Sequence, residues 1–315
     1  MELNSIISDR KIEMLRTAFG DILMDYLYND LIVEIMVNPD GRLHYEEIGK
    51  GKNRTNIYFP PEKTENIVKL VSSIKNGVAN DCFPEVASEL PFGGARFQGW
   101  LSPVVEQACF SIRRKASKIF TLNDYLNQGV ISTRQRKILI DAVECRKNIV
   151  IVGGTGSGKT TFANSLLDVL KGSDDRIIVI EDLPELQVNV DDLVTMTTTD
   201  SVSMAKLVKG SLRMRPDRIV IGEVRDGSAL DLLKAWNTGH PGGVCTIHAN
   251  SVNSAPYRFE DLIQEAVVKV PKNLILQAID LIVFIEKDKT GKRTVKDIAE
   301  LAGYESNNYI INSII

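Results

Sequence analysis

The sequence predicts an α/β protein in which a smaller α+β half precedes a C-terminal half built on a mainly parallel sheet. The chain has 315 residues, which is enough for about two domains of ~150 residues each. From Thr133 onward, short β-branched runs alternate with helical segments, a pattern typical of a parallel sheet covered on both faces. Before Thr133 the pattern favours a hairpin with separate helices, so we expect two domains of different architecture.

The N-terminal half shows the spacing of helices that alternate with short strands. Its turn sequence Asn38-Pro39-Asp40-Gly41 separates two apolar runs and therefore predicts a hairpin. The predicted elements, in order, are a helix from about Asp9 to Leu27, strands over Leu31 to Val37 and Arg42 to Glu46, a helix after Pro60-Pro61 and a strand around Ala108 to Arg113.

Near-continuous apolar runs in the C-terminal half predict the buried strands of the parallel sheet. These runs are 148–152, 176–180, 218–221, 244–247 and 281–285. The boundary between the halves is expected between Lys115 and Ser132, where Thr121 to Asp124 has the sequence of a helix start. We predict an N-terminal domain over 1–118, a linker over 119–132 and a C-terminal domain over 133–315.

The strongest chemical signal is Gly153 to Thr160, whose sequence GGTGSGKT fits the pattern GxxxxGK[ST]. It lies between a predicted strand and a predicted helix, Thr161 to Leu170, as a phosphate-binding loop requires. A glycine-rich turn would fit the pattern by chance in roughly one protein in a hundred. We expect Lys159 to reach the β- and γ-phosphates and Thr160 to ligate Mg²⁺. The other predicted phosphate-binding residues offer backbone N–H groups and are Gly153, Gly154, Thr155, Gly156, Ser157, Gly158 and Thr161.

Two acidic strand ends and one histidine are candidates for the chemistry beside this loop. Glu223 follows a buried-type strand, and we expect it to polarise the attacking water. Glu181 ends a second such strand, at the sheet edge where ligands collect. Either acid could hold Mg²⁺ through water, and a solvated strand end or helix cap is the alternative for each. His248 ends a further strand, where its imidazole could contact a γ-phosphate or its water.

Composition argues against several classes of function. The 41 acidic and 38 basic residues give a net charge of -3, so no overall positive field attracts nucleic acid or anionic lipid. The four cysteines form no CxxC pair, and the three histidines make no convincing zinc site. No stretch reads as a signal peptide or membrane span, so we expect a cytoplasmic protein without an integral membrane segment.

Four motifs in order make the chain resemble the hexameric secretion ATPases that serve type II secretion, type IV pili and type IV secretion. They are the phosphate-binding loop, an acidic box over 180–185, a second acidic box over 221–225 and a histidine box over 238–249. The stretches 211–218 and 232–243 look most like the conjugative-transfer ATPases of the TrbB type. Type II secretion ATPases usually carry a tetracysteine module, and pilus retraction motors usually lack the run 240–243; these two kinds of motor are the alternatives within the family.

The resemblance implies a RecA-like P-loop domain that hydrolyses ATP with Mg²⁺, in a homo-hexamer at the inner face of the cytoplasmic membrane. It implies other secretion-system components as partners and ATP turnover that drives assembly of the machine or transfer of its substrate. It also implies nucleotide contacts from Arg96, Arg113 and Arg114, which lie in motifs that match family arginines; solvated strand-end charges are the alternative. The family's Arg-Lys-Pro appears here as Arg114-Lys115-Ala116.

Two other classes of function stay open. RecA-like folds also serve nucleic-acid motors, but the charge balance and the lack of an aromatic and basic strand face argue against direct DNA binding. A non-catalytic scaffold could bind ATP as a structural ligand, although Glu223 and His248 argue for chemistry. Stimulation of turnover by single-stranded DNA, and turnover itself, distinguish these classes.

Overall fold

The computed structural model describes residues 2–47, 50–74, 77–114, 119–199 and 201–315, with side chains from Asp9 onward. The chain divides into two compact units, Met1–Lys118 and Ile119–Ile315. The predicted domain boundary at residue 118 and the Lys115-Ala116 departure fall in 115–118, outside the described residues. The domain limits themselves stay predictions.

The first unit is a six-stranded sheet with two helices. All its strand pairs are antiparallel, in the order β3-β2-β1-β6-β5-β4. The elements are α1 (Glu2–Tyr28), β1 (Ile32–Val37), β2 (Arg42–Glu47), β3 (Gly51–Tyr58), α2 (Pro61–Ile74), β4 (Glu85–Glu89), β5 (Arg96–Trp100) and β6 (Cys109–Arg113).

The predicted hairpin is confirmed, because β1 and β2 pair antiparallel across the turn. The predicted helices correspond to α1, which is kinked at Gly20 with φ of 68°, and to α2. Buried residues of both helices form one core with the sheet, including Phe19 and Ile67. Sequence reasoning missed β3 because its exposed and half-buried residues alternate without a buried apolar run, and it missed the short strands β4 and β5.

The second unit is an eight-stranded sheet with helices on both faces. Its strand order is β14-β13-β12-β7-β11-β10-β8-β9. The elements are α3 (Leu122–Asn127), α4 (Thr133–Glu144), β7 (Ile149–Val152), α5 (Lys159–Leu167), β8 (Ile177–Glu181), β9 (Leu193–Thr197), α6 (Met204–Ser211), β10 (Arg218–Ile221), α7 (Ser228–Asn237), β11 (Val244–Ile247), α8 (Ala255–Gln264), α9 (Lys272–Ala278), β12 (Leu281–Lys287), β13 (Arg293–Glu305) and β14 (Asn308–Ser313).

Strand β7 shows why the central strands read as continuous apolar runs. Val150 and Val152 enter the core on one face of the sheet, while Ile149 and Ile151 enter the core on the other face. Since successive side chains of a strand point to opposite faces, a strand covered on both faces needs apolar residues throughout. The five predicted strands of this unit are confirmed.

The sheet is mixed, because β13 and β14 add two antiparallel pairs to a parallel set of six strands. Sequence reasoning missed β9, β13 and β14, which carry polar residues among their apolar ones. The helix start at Thr121 is confirmed, with a reciprocal capping box to Asp124. The helix after the phosphate-binding loop begins at Lys159 and ends at Leu167, followed by a 3₁₀ turn over Asp168–Leu170. Within the described ranges, no helix has the length and apolar character needed to cross a bilayer.

Candidate nucleotide site

Four parallel strands of the second unit bring the predicted site residues to one edge of the sheet. Strands β7, β11, β10 and β8 are neighbours in that order. The residues at or just past their carboxyl ends are Gly153, His248, Glu223 and Glu181. Ligands of open α/β sheets bind at this kind of edge.

The phosphate-binding loop leads from β7 into α5 in a conformation that needs its glycines. Gly156 and Gly158 have φ of 69° and 95°, in the left-handed region that glycine favours. A Cβ on Gly153 would lie 2.3 Å from the Ile285 carbonyl oxygen, so a larger residue there would displace backbone. Gly158 is the N-cap of α5 and provides no side-chain cap. The first N–H groups of α5, from Lys159 to Thr161, are therefore available to an anion.

Lys159 is buried at the centre of this loop, with 7% of the residue exposed. Its Nζ donates to the carbonyl oxygens of Gly153 and Gly154, each at 3.0 Å. The same Nζ lies 3.3 Å from Nδ1 of His248. The Ser157 hydroxyl is also buried, and it has no hydrogen-bond partner among the described residues. A buried ammonium and a buried hydroxyl in one glycine-rich loop provide polar groups suited to a phosphate.

His248 and Glu223 face each other beside Lys159. Nε2 of His248 lies 2.8 Å from Oε1 of Glu223. Burial and the nearby charge of Lys159 lower the pKa of His248, and Glu223 offsets this only in part. Burial raises the pKa of Glu223, but Arg225, His248 and Lys159 together outweigh it and hold that pKa below its ordinary value. Near neutral pH the pair is therefore a carboxylate beside an uncharged imidazole.

Arg225 is a site residue to which sequence reasoning assigned no role. Its Nη2 donates to Oε2 of Glu223 at 2.5 Å, and its Nη1 lies 4.0 Å from Asp182. The signal available in the sequence was an arginine two residues after a strand-ending acid, within the box over 221–225. The arginine fixes one oxygen of Glu223 and leaves the other toward His248.

Glu181 lies in the adjoining strand and is 4% exposed. Its Oε1 accepts hydrogen bonds from the backbone N–H groups of Glu185 and Leu186, both at 3.0 Å. A Cβ on Gly222 would lie 2.9 Å from the same oxygen, so Glu181 packs against the residue that precedes Glu223. The carboxylate thus holds the loop after β8 in place at the edge of the site.

The arginines predicted from the resemblance lie in the first unit. Arg113 pairs with Arg96 across β6 and β5, and their outer neighbours in the same row are Glu34 and Glu89. Two like charges directly opposite each other on one sheet face repel.

Arg114 has different surroundings within that unit. Its guanidinium donates to the carbonyl oxygens of Asn29 and Ile32 and forms an ion pair with Asp30 at 3.2 Å.

The histidine box separates into two parts at opposite ends of β11. His248 follows the carboxyl end, whereas His240 precedes the amino end, and Nδ1 of His240 donates to the Pro216 carbonyl oxygen at 2.8 Å. In the same turn, the backbone N–H groups of Gly242 and Gly243 donate hydrogen bonds to Oδ1 of Asn148 at 2.8 and 3.0 Å. His240 therefore belongs to a hydrogen-bonded turn at the edge of the sheet opposite the phosphate-binding loop.

Comparisons with known proteins identify relatives over most of the chain. The family described as Type II/IV secretion system protein matches residues 96–297. The conjugal transfer protein TrbB of Rhizobium radiobacter is 44% identical to this chain, over 95% of this chain and 93% of that protein. The type IV secretion system protein VirB11 of Bartonella henselae is 30% identical, over 82% of this chain and 84% of that protein.

Solved structures share the fold. The structure of the Legionella pneumophila ATPase DotB has a TM-score of 0.67 at 18% identity, covering 90% of this chain and 81% of that one. The pilus retraction motor PilT with bound ADP has a TM-score of 0.60 at 17% identity, covering 93% of this chain and 81% of that one.

Proposed function

The chain belongs to the type II/IV secretion system protein family, and from that premise we propose that it is the ATPase motor of a conjugative type IV secretion system. It hydrolyses ATP to drive assembly of the machine or transfer of its substrate. The observation that carries the proposal is the convergence of Lys159, His248 and Glu223 beside the phosphate-binding loop. The full-length similarity to TrbB, at 44% identity, supports the conjugative branch.

The residues present fit a nucleotide with Mg²⁺. The uncapped start of α5 and the buried groups of Lys159 and Ser157 suit a phosphate chain. Thr160 in the first turn of α5 supplies a hydroxyl for Mg²⁺, and Glu223 and Glu181 supply carboxylates that could hold it through water. Bound there, the metal neutralises charge on the β- and γ-phosphates.

Glu223 is the residue we propose for positioning the attacking water. Its lowered pKa keeps it ionised near neutral pH, and Arg225 leaves one oxygen directed to the interior of the site. A carboxylate with a low pKa is a weak base, so orientation of the water is its main contribution. Nδ1 of the uncharged His248 accepts from Lys159, so its one N–H is on Nε2, and it can turn from Glu223 to donate to the γ-phosphate or to that water. Glu181 holds the neighbouring loop and completes the acidic edge.

The wider architecture that we propose follows the family. The C-terminal domain over 133–315 is a RecA-like ATPase domain, joined by the linker over 119–132 to an N-terminal domain over 1–118. Six copies form a ring, and Arg96, Arg113 and Arg114 of the N-terminal domain contribute positive charge at the nucleotide. The motor works with other secretion-system components at the cytoplasmic face of the inner membrane, without direct binding to nucleic acid.

Turnover and size measured together test this function. The purified protein should hydrolyse ATP with Mg²⁺ and should run as a hexamer when nucleotide is present. Lys159→Ala should abolish useful binding or hydrolysis, because it removes the central cation facing the phosphates, whereas Lys171→Ala, at an exposed position beyond α5, should not. Normal turnover in folded Lys159→Ala protein would contradict the site. Stimulation of ten-fold or more by single-stranded DNA would favour a nucleic-acid motor instead.

A further inference from the structure

An arginine from the β12–β13 hairpin lies against the phosphate-binding loop, although no motif points to it. Arg293 is the first residue of β13. Its Cδ and Nε lie so close to Gly158 that a Cβ added to this glycine would meet both atoms at 3.0 Å. Gly158 is the N-cap of α5. Arg293 therefore contacts the backbone at the point where the helix offers its first N–H groups.

The charge of Arg293 is not neutralised by the carboxylates of its own hairpin. Oδ1 of Asp288 accepts hydrogen bonds from the N–H and hydroxyl of Thr290 and from the N–H of Lys292, at 2.6 to 3.0 Å, so it serves the turn. Glu286 pairs with Lys296 at 3.7 Å. Within the described parts of the chain, the buried Nε of Arg293 has no hydrogen-bond partner.

Tyr125 is a second residue that senses the charge of this guanidinium. Burial raises the pKa of the Tyr125 hydroxyl, and the positive charge of Arg293 acts against that rise. Tyr125 lies in α3 and packs edge-on against Phe162 of α5, with ring centroids 5.2 Å apart. The charge of Arg293 thus acts on Tyr125 as well as standing next to the start of α5, within the second unit.

The strand order separates this charge from the reactive groups. Strand β7, which leads into the loop, lies between β11 and β12. His248 and Glu223 stand at the ends of β11 and β10, on one side of β7, and Arg293 begins β13 on the other side. A γ-phosphate near Lys159 and His248 leaves the rest of the nucleotide to extend away from Glu223. Arg293 is a cation on that side, and it lies against Gly158.

We propose that Arg293 binds the α-phosphate of the bound nucleotide, on the side of the loop opposite Glu223. The inference rests on the proposed function, since it requires a nucleotide at the loop. A guanidinium presents a planar fork of donors that matches two phosphate oxygens. Because ATP and ADP share the α-phosphate, this contact stabilises both equally and is the same before and after hydrolysis. It should therefore set affinity and leave the chemical step unchanged.

The test compares Arg293→Met with the matched control Lys292→Met in the full-length chain. Arg293→Met keeps an unbranched apolar side chain beside Gly158 and removes the charge, while the control removes a charge from the exposed turn of the same hairpin. Titration calorimetry with Mg²⁺ measures the affinity for ADP and for the β,γ-imido analogue of ATP. We expect Arg293→Met to weaken both by the same factor, about tenfold or more. The control should change neither affinity by more than about twofold, and the melting temperature of the nucleotide-free protein should be the same in both variants and the wild type.

Several outcomes would overturn the proposal. Unchanged ADP affinity in Arg293→Met would do so, as would a loss confined to the ATP analogue with a lower kcat, which would assign Arg293 to the γ-phosphate. An equal loss of affinity in Lys292→Met would show that the overall positive charge of the hairpin, and not a contact from Arg293, attracts the nucleotide. If Arg293→Met does not fold, Arg293→Lys decides the question, since it keeps the charge without the fork: weaker ADP binding supports the contact and unchanged binding refutes it. If the wild-type protein binds no nucleotide at all, the proposed function fails instead.

Discussion

The imidazole of His248 lies between the ammonium of Lys159, 3.3 Å from Nδ1, and the carboxylate of Glu223, 2.8 Å from Nε2. A single side chain thus touches both the phosphate-binding loop and the acidic strand end. Burial lowers the pKa of His248, and the neighbouring charges act on it in opposite directions, because Lys159 and Arg225 lower that pKa whereas Glu223 raises it.

The titration of His248 should respond with opposite signs to two neighbouring substitutions. In the wild-type protein its pKa should lie below the ordinary 6.5, so more than half of the imidazole should be uncharged at pH 6.5. Glu223→Gln should lower that pKa further, and Arg225→Gln should raise it. Proton NMR can follow this directly, because the chain has three histidines and His248→Gln assigns the resonance. Shifts of the same sign in both variants would contradict the geometry.

Replacing the two acids should separate chemistry from loop support. Glu223→Gln keeps the size of the side chain and removes its charge, so turnover should fall by about 10²–10⁴ while ATP affinity persists. Glu181→Gln keeps an oxygen that can accept from Glu185 and Leu186, whereas Glu181→Ala does not and should lower the melting temperature as well as turnover. Steady-state kinetics and thermal unfolding measure these effects. Normal hydrolysis in Glu223→Gln with none in Glu181→Gln would mean that the two roles are reversed.

Substitutions of the adjacent Arg113 and Arg114 in the first unit should differ in their effects on stability and turnover. Arg114→Ala removes a donor from the carbonyl groups of Asn29 and Ile32, and should cost about 0.5–1.5 kcal/mol of unfolding free energy. Arg113→Ala removes both the repulsion with Arg96 and the attraction to Glu34, which offset each other, and should leave stability unchanged. If Arg113 stabilises the transferring phosphoryl group, its loss should lower turnover by about 10³–10⁵. Denaturant unfolding and kinetics on both variants check this contrast, and full turnover in Arg113→Ala would leave Arg113 as a strand-end charge.

Asn148 should support the far end of β11 without taking part in the chemistry. Asn148→Ala removes an acceptor from the N–H groups of Gly242 and Gly243 and a donor from the Ala278 carbonyl. Because all three groups are buried, we expect a loss of about 3 kcal/mol in unfolding free energy. Turnover per folded molecule should stay close to wild type. Asn237→Ala, at an exposed position, is the control, and an equal loss of stability there would refute the argument.

Local sequence patterns predicted the parts of the fold that depend on local chemistry. The glycines of the phosphate-binding loop, the buried strands on either side of it and the capping box at Thr121 each carry their own signal within a few residues. The antiparallel strands β13 and β14 were missed because their partly exposed residues show no continuous apolar run. The order of strands in the sheet is a property of the whole unit, and no short window encodes it.

Because short windows do not encode the strand order, only some of the residues of the candidate site could be predicted from the sequence. Glu223, His248 and Lys159 could be grouped because each lies in a motif and at the end of a predicted strand. Arg293 approaches Gly158 only because the β12–β13 hairpin returns beside the loop, so sequence spacing gives no sign of it. His240 and His248 share one motif, yet the four residues of β11 carry them to opposite edges of the sheet.

For the proposed ring of six copies, the two ends of β11 also determine how a dominant-negative form of this protein should be made. His248 is 44% exposed as a side chain, so replacing it spares the buried strand. His240, by contrast, ties its turn to the Pro216 carbonyl, and a change there risks a subunit that is degraded before it meets its wild-type copies. A dominant-negative subunit should therefore carry its substitution at the carboxyl end of β11, where His248 lies, and keep residues 238–243 unchanged.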